Sequence, residues 1–320
     1  MVSLADIQCA ASRLRGVAVR TPLIPCPHQQ PGRELYFKPE SFQPIGSFKL
    51  RGAYNKIASL TNDERSRGVI SYSSGNHAQG VAYAARALGV KAVIVMPNNA
   101  PQVKIDSTRA YGAEIVFVGP ASSERQSKAE ELAKQHGYVI VPPFNDEAII
   151  AGAGTTGLEI IADLPDADMV LVPIGGGGQI SGIATAIKLS GSKAKVIGVE
   201  PELAADAQAS FRSGKIVQFT AEQVTRTSAD GLRTQAIGEI NFEHIRRFVD
   251  DVVTVTEPEI LQAIRRLALH AKLVAEPSGA VTFAAFLFHA DQLPRAAKTV
   301  AVISGGNIDP ALLARVVVEP

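Results

Sequence analysis

Val69-Ile70-Ser71-Tyr72 runs directly into Ser73-Ser74-Gly75-Asn76-His77, and then into an Ala-rich stretch, 78–88, closed by Gly89. A short apolar run, a polar turn and a longer run with glycine just past its end read as strand, turn and helix. The same unit recurs. A strand at 92–96 ends at Pro97, a helix at 101–111 is closed by Gly112, a strand at 115–118 precedes a helix at 123–136, and a further strand occupies 139–141. A β-α-β-α-β-α-β run demands right-handed crossovers and a parallel sheet.

A second series lies beyond it. Residues 147–162 have a Gly/Thr-rich middle (151–157) and a helical end. A strand at 169–173, a loop at Gly175–Gly178, a helix at 179–190 and a strand at 195–199 follow. The pattern weakens over 202–240, then resumes with helices at 258–273 and 278–288 and a strand at 299–303. Upstream, 4–14 reads as a helix, 35–38 as a strand and 50–60 as an amphipathic helix. The expected fold is α/β: two open twisted sheets with flanking helices. One sheet unit spans 58–143, and the other combines 1–57 with 144–320.

Composition narrows the function. Lys+Arg 32 against Asp+Glu 31 leaves a net charge of +1, so no charge excess calls for a nucleic acid or a membrane surface. Two cysteines without a pairing motif suit a reducing compartment. No apolar run is long enough to span a bilayer, and the start shows no signal peptide. The expectation is a soluble, cytoplasmic chain.

Four stretches carry chemistry. Ser47-Phe48-Lys49-Leu50-Arg51-Gly52 sets a lysine at a loop-to-helix junction facing the space between the two units. Burial and a nearby cation both lower a lysine's pKa, as a nucleophile requires. Gly175–Gly178 follows a buried strand and opens a helix, where several backbone N–H groups and the helix N-terminus suit a phosphate. Glu200, about twenty residues on, gives a dinucleotide fold some support, but the G-x-G-x-x-G register fails at Ile180 and Ser181. Ser73–His77 offers N–H groups, hydroxyls and an amide to a carboxylate. Ser304-Gly305-Gly306-Asn307 closes another strand, and open α/β sheets place ligands at such ends. Glu200, Ala204 and Asp206 form an oxygen-rich patch suited to Mg²⁺ or Mn²⁺.

Together, in this order, these motifs resemble the fold-type II pyridoxal-phosphate enzymes, and most closely the serine racemase and serine/threonine dehydratase branch. The resemblance implies a tryptophan synthase β-like architecture with the cofactor in the inter-domain cleft. It makes Lys49 the Schiff-base lysine, lays Phe48 against the ring and gives Asn76 its phenolic oxygen. It assigns the phosphate to Gly175, Gly176, Gly177 and Gly178, the ring nitrogen to Ser304, and a place along the cofactor face to Gly231. Ser73, Gly75, Asn76 and His77 would take the substrate carboxylate, with Arg125 facing the substrate. Ser74 would act as acid and base on the opposite face. Glu200, the Ala204 carbonyl and Asp206 match the branch's divalent-cation site.

The implied function is an ammonia-lyase turning serine- or threonine-type 3-hydroxy amino acids into 2-keto acids and ammonia, in a homodimer. Racemisation through Ser74, and 3-hydroxyaspartate as substrate through Arg125, are the alternatives. β-Replacement ranks lower because that branch carries a Thr-Ser-Gly-Asn-Thr turn. A non-catalytic regulator that binds the cofactor is the remaining reading.

Overall fold

The computed structural model describes residues 1–27, 32–73, 75–100, 102–119 and 122–318. Among these residues ten strands form two sheets. In chain order they are β1 (Ile24–Pro25), β2 (Glu34–Pro39), β3 (Val69–Tyr72), β4 (Ala92–Pro97), β5 (Glu114–Val118), β6 (Val139–Ile140), β7 (Met169–Pro173), β8 (Lys195–Pro201), β9 (Asp251–Val255) and β10 (Lys298–Ile303). The larger sheet runs β1-β2-β10-β7-β8-β9 and the smaller β5-β4-β3-β6. Among the described strands, only β1 is antiparallel to its neighbour.

Both sheets have their break in the same place. The smaller is laid down β3, β4, β5 in one direction before β6 pairs on the other side of β3. The larger proceeds β7, β8, β9 before β10 pairs on the other side of β7. Ligands of open α/β sheets bind where the strand order reverses, beyond the carboxyl ends of the strands. The segments there are Ser73 and Gly75 with residues 141–144 in one sheet, and residues 174–177 with 304–307 in the other. The chain's polar turns therefore lie at two facing crevices.

One long helix holds the crevices together. The sequence suggests an irregular middle for 147–162, but Glu147–Asp163 is a single continuous helix. Its glycines are contact points. A Cβ on Gly152 would lie 2.4 Å from the Arg51 carbonyl oxygen, and one on Gly154 2.9 Å from that of Gly182. Glycine weakens a lone helix by about 1 kcal/mol relative to alanine. Here it lets this helix press against both Lys49–Ala58 and Gly178–Leu189, the helices that begin at the lysine and at the glycine loop.

Three further differences have local causes. The helix expected over 258–273 is regular only through Glu257–Arg266; Leu267–Ala271 forms a wider π turn that ends at Lys272 with φ 57°. The widening returns buried Leu273 to the core, where its N–H reaches the Leu267 carbonyl at 3.0 Å. The helix Glu239–Phe248 and β9 occupy a stretch whose pattern the polar segment before it obscures. Pro310–Val318 adds a last helix. Among the described residues no helix is long and apolar enough to cross a membrane.

Candidate active site at the inter-sheet cleft

Lys49 opens the helix Lys49–Ala58, with Phe48 before it. Its Nζ donates to the Pro143 carbonyl at 2.7 Å and lies 5.2 Å from the Phe48 ring centroid. Burial alone pushes its ammonium down to about 8. The nearby cation is not responsible, because Arg51 is fully engaged elsewhere. Its guanidinium grips Glu40 through two nitrogens at 2.7 and 2.9 Å and Glu159 at 2.6 and 2.9 Å. Lys38 adds a further bond to Glu159 at 2.6 Å. Two cations and two carboxylates thus form a balanced, largely buried cluster.

The other motifs are tied to this one through the backbone. The Phe48 N–H donates to the Ser304 carbonyl at 3.0 Å, and Gly306 N–H to Gly46 at 2.9 Å. Asn307 Nδ2 donates to the Ile45 carbonyl at 2.9 Å and to Asn76 Oδ1 at 2.8 Å. Phe144, next to the lysine's carbonyl partner, closes over the glycine loop: a Cβ on Gly176 would sit 2.3 Å from its ring. Gly177 has φ +94°, a conformation that favours glycine. The helix Gly178–Leu189 begins there, with its first N–H groups free of intrahelical partners. This cradle suits a phosphate and admits no side chain. Gly231 adjoins it, its carbonyl 3.1 Å from where a Gly175 Cβ would be, and its N–H donates to Ser278 Oγ at 2.9 Å.

Gly75 stands at the N-terminus of the helix Asn76–Ala87 and provides no side-chain cap. Ser73 and Gly75 are half-buried, and Ser73 Oγ accepts the Gly75 N–H at 3.3 Å. The His77 ring is 3% exposed, bonded through Nε2 to the Val141 carbonyl at 3.0 Å. Burial, and then the charge of Lys49, hold it down to about 3, so it stays neutral. Ser74 lies outside the described residues. Ser304 is 4% exposed at the end of β10. Arg125 is half-buried in the first turn of Ser122–His136, beyond β5, and burial lowers its pKa.

Glu200 and Asp206 meet at the end of β8, each 1% exposed. Glu200 accepts the N–H groups of Ala207 at 3.2 Å and Gln208 at 2.7 Å, while Asp206 Oδ2 has no partner. Burial, and then Asp206, push the Glu200 carboxyl well up. Burial raises Asp206 to about 7. Ala204, also 1% exposed, ends the short turn between them.

Sequence reasoning missed Pro143, Phe144 and Glu276, whose Oε1 accepts from Asn76 Nδ2 at 2.6 Å. Phe144 had a usable signal, since Pro142–Asn145 follows a strand just as the other polar turns do. Pro143 acts through a main-chain oxygen and leaves no residue-type signal.

The pyridoxal-phosphate-dependent enzyme family profile matches residues 14–305. The chain is 45% identical over 319 residues to an L-threonine ammonia-lyase of Thermotoga maritima, covering 99% of this chain and 78% of that one. It is 40% identical over 306 residues to the L-threo-3-hydroxyaspartate ammonia-lyase of Saccharomyces cerevisiae, covering 95% and 93%. The structure of maize serine racemase superposes with a TM-score of 0.93 at 35% identity, covering 98% of this chain and 96% of that one. With its four motifs gathered at one cleft, the chain belongs to the fold-type II pyridoxal-phosphate-dependent enzymes, in the serine/threonine dehydratase and serine racemase family.

Proposed function

We propose that the protein is an ammonia-lyase for serine- or threonine-type 3-hydroxy amino acids, releasing a 2-keto acid and ammonia. The observation that carries this is Lys49: its amine lies in the cleft between both switch points, with its ammonium lowered to about 8. Bound pyridoxal phosphate supplies an electron sink for the pair left when the substrate Cα–H bond breaks. The chain's residues do the rest. The N–H groups around Gly175–Gly178 hold the phosphate, and those opening Asn76–Ala87, with Ser73, hold the substrate carboxylate. His77 contributes there through its main chain, its ring being committed to Val141. Lys49 Nζ takes the Cα proton, and an amine lowered towards neutrality suits that task. Ser304 would face the ring nitrogen and, being neutral, would add no charge there, which would favour prompt loss of the β-hydroxyl.

A panel of L-serine, L-threonine and 3-hydroxyaspartate, scored for ammonia, keto acid and D-isomer, tests this reading. Keto acid and ammonia in equal amounts are expected to exceed D-isomer. D-isomer in excess would move the activity to racemisation, and no product from any of the three would remove it. Likeness to the yeast 3-hydroxyaspartate enzyme and the setting of Arg125 support including the third substrate.

A divalent cation, Mg²⁺ or Mn²⁺, belongs to the same proposal, held by Glu200, the Ala204 carbonyl and Asp206. Two adjoining buried carboxylates, one with an unpartnered oxygen, support it, because burial without a counter-charge is costly. Chelation with EDTA should lower the melting temperature, and added cation should restore it. At a free concentration 100-fold above Kd the cation would contribute about 2.7 kcal/mol. An unchanged melting temperature would rule the cation out. The reading also includes a small unit over 58–143, a large unit from 1–57 and 144–320, and a cytoplasmic homodimer. Exposed Phe42 and Val274, on segments flanking Gly306, support a covered face; sedimentation as a monomer alone would remove the dimer.

A further inference from the structure

Asn76 has both ends of its amide engaged. Its Oδ1 accepts from Asn307 Nδ2 at 2.8 Å, and its Nδ2 donates to Glu276 Oε1 at 2.6 Å. The oxygen and nitrogen of an amide have nearly the same shape, so its partners decide which way it faces. Glu276 alone would leave a choice, since a neutral carboxyl can donate as well as accept. Asn307 removes it: its Nδ2 also donates to the Ile45 carbonyl, so it presents a donor to Asn76. One N–H of Asn76 is spent on Glu276, and the other remains for a ligand.

Glu276 is placed for this task by the fold. It is 4% exposed and precedes the helix Pro277–Phe288. Its main-chain N–H donates to the Gly305 carbonyl at 3.1 Å, and its Oε1 takes up the space of a Gly305 Cβ, 2.3 Å from that position. The carboxyl therefore bridges the carboxylate turn of the smaller sheet and the Ser304–Asn307 loop of the larger. Asp230 and Lys104, paired with each other across the cleft, are the charges that act on it. Burial and then Asp230 hold it up to about 7, while the Asn76 bond and Lys104 act the other way.

We infer that Glu276 is a positioning residue: with Asn307 it locks the Asn76 amide so that a free N–H faces the phenolic oxygen of bound pyridoxal phosphate. This rests on the reading of Lys49 and Asn76 as cofactor-facing residues. An N–H held at that oxygen stabilises its anionic form and so tunes the visible absorption of the bound group. Fixing the amide beforehand also spares the cost of ordering it on binding.

The test compares holoenzymes carrying Glu276→Gln and Glu276→Leu at about pH 6, where the carboxyl is mostly neutral. Glu276→Gln keeps an oxygen that accepts from Asn76 and should retain the wild-type visible band. Glu276→Leu should shift that band and weaken cofactor affinity about tenfold, the size of one lost hydrogen bond. Should Glu276→Leu not fold, Asn307→Leu removes the other jaw of the clamp and carries the same expectation. Leucine variants with an unchanged band and affinity would overturn the inference. So would a Glu276→Gln shift as large as that of leucine, which would point to the acid proton instead of the acceptor. A wild-type protein that forms no visible band would sink the cofactor-lysine reading itself, a distinct outcome.

Discussion

Replacing Lys49 with alanine should cut turnover at least about 10⁴-fold while leaving the fold intact. Positioned proton transfer alone is worth about 10²–10⁴-fold, and loss of the covalent attachment adds to that. Stability should hardly suffer. Lys49 makes one side-chain hydrogen bond, to Pro143, and its ammonium is disfavoured by burial. Alanine removes that unfavourable charge. The expected signature is a variant that melts at or above the cofactor-free wild type, lacks the visible cofactor band and releases no measurable ammonia from L-serine or L-threonine. Retention of more than a few per cent of activity would take the proton-transfer role away from Lys49.

The second large effect falls two residues on and has the opposite character. Arg51→Met should destabilise the protein by about 3–5 kcal/mol, the usual cost of removing one partner from a buried ion pair. Arg51 is 1% exposed, and its loss strands Glu40, which is fully buried, and Glu159 with only Lys38 to balance them. Burial by itself would raise the Glu40 carboxyl, but Arg51 more than offsets this and its pKa lies below the usual value. A carboxyl lowered on folding contributes stability above its unfolded pKa, and that contribution is lost as pH falls through the folded value. The wild type should therefore weaken in acid more steeply than the variant. Arg51→Lys should fall between, because an ammonium cannot span two carboxylates as the guanidinium does. Urea unfolding measures all three; a loss below about 1 kcal/mol for Arg51→Met would mean the cluster contributes no more than a surface pair.

These two residues show where the sequence was readable and where it was not. Lys49 and the glycine loop announce themselves through local pattern: a strand, a turn that needs glycine, and a helix start. Strands β3, β7 and β10 were equally plain, because apolar runs between turn residues have few other uses. Arg51 was visible as a cation near the lysine, yet its actual partners lie 11 and 108 positions away. The glycines at 152, 154 and 157 suggested a break because lone-helix propensity penalises them, and tertiary contact reversed that penalty. Glu276 before Pro277 looks like an ordinary acidic helix start. Only the approach of Gly305, 29 residues later, turns it into a buried carboxyl against Asn76. The register of Phe242, Ile245 and Phe248 was present for reading, and the polar segment before it masked the helix.

Borohydride reduction of the pyridoxal-phosphate-loaded protein, followed by peptide mapping, tests the central claim most directly. Reduction converts the imine between the cofactor aldehyde and its lysine into a stable secondary amine, so the label marks the bonded residue. The label should appear on the peptide containing Lys49, in about one copy per chain, and should vanish in Lys49→Ala. A label on Lys38 or Lys104, or one scattered over surface lysines, would contradict the account.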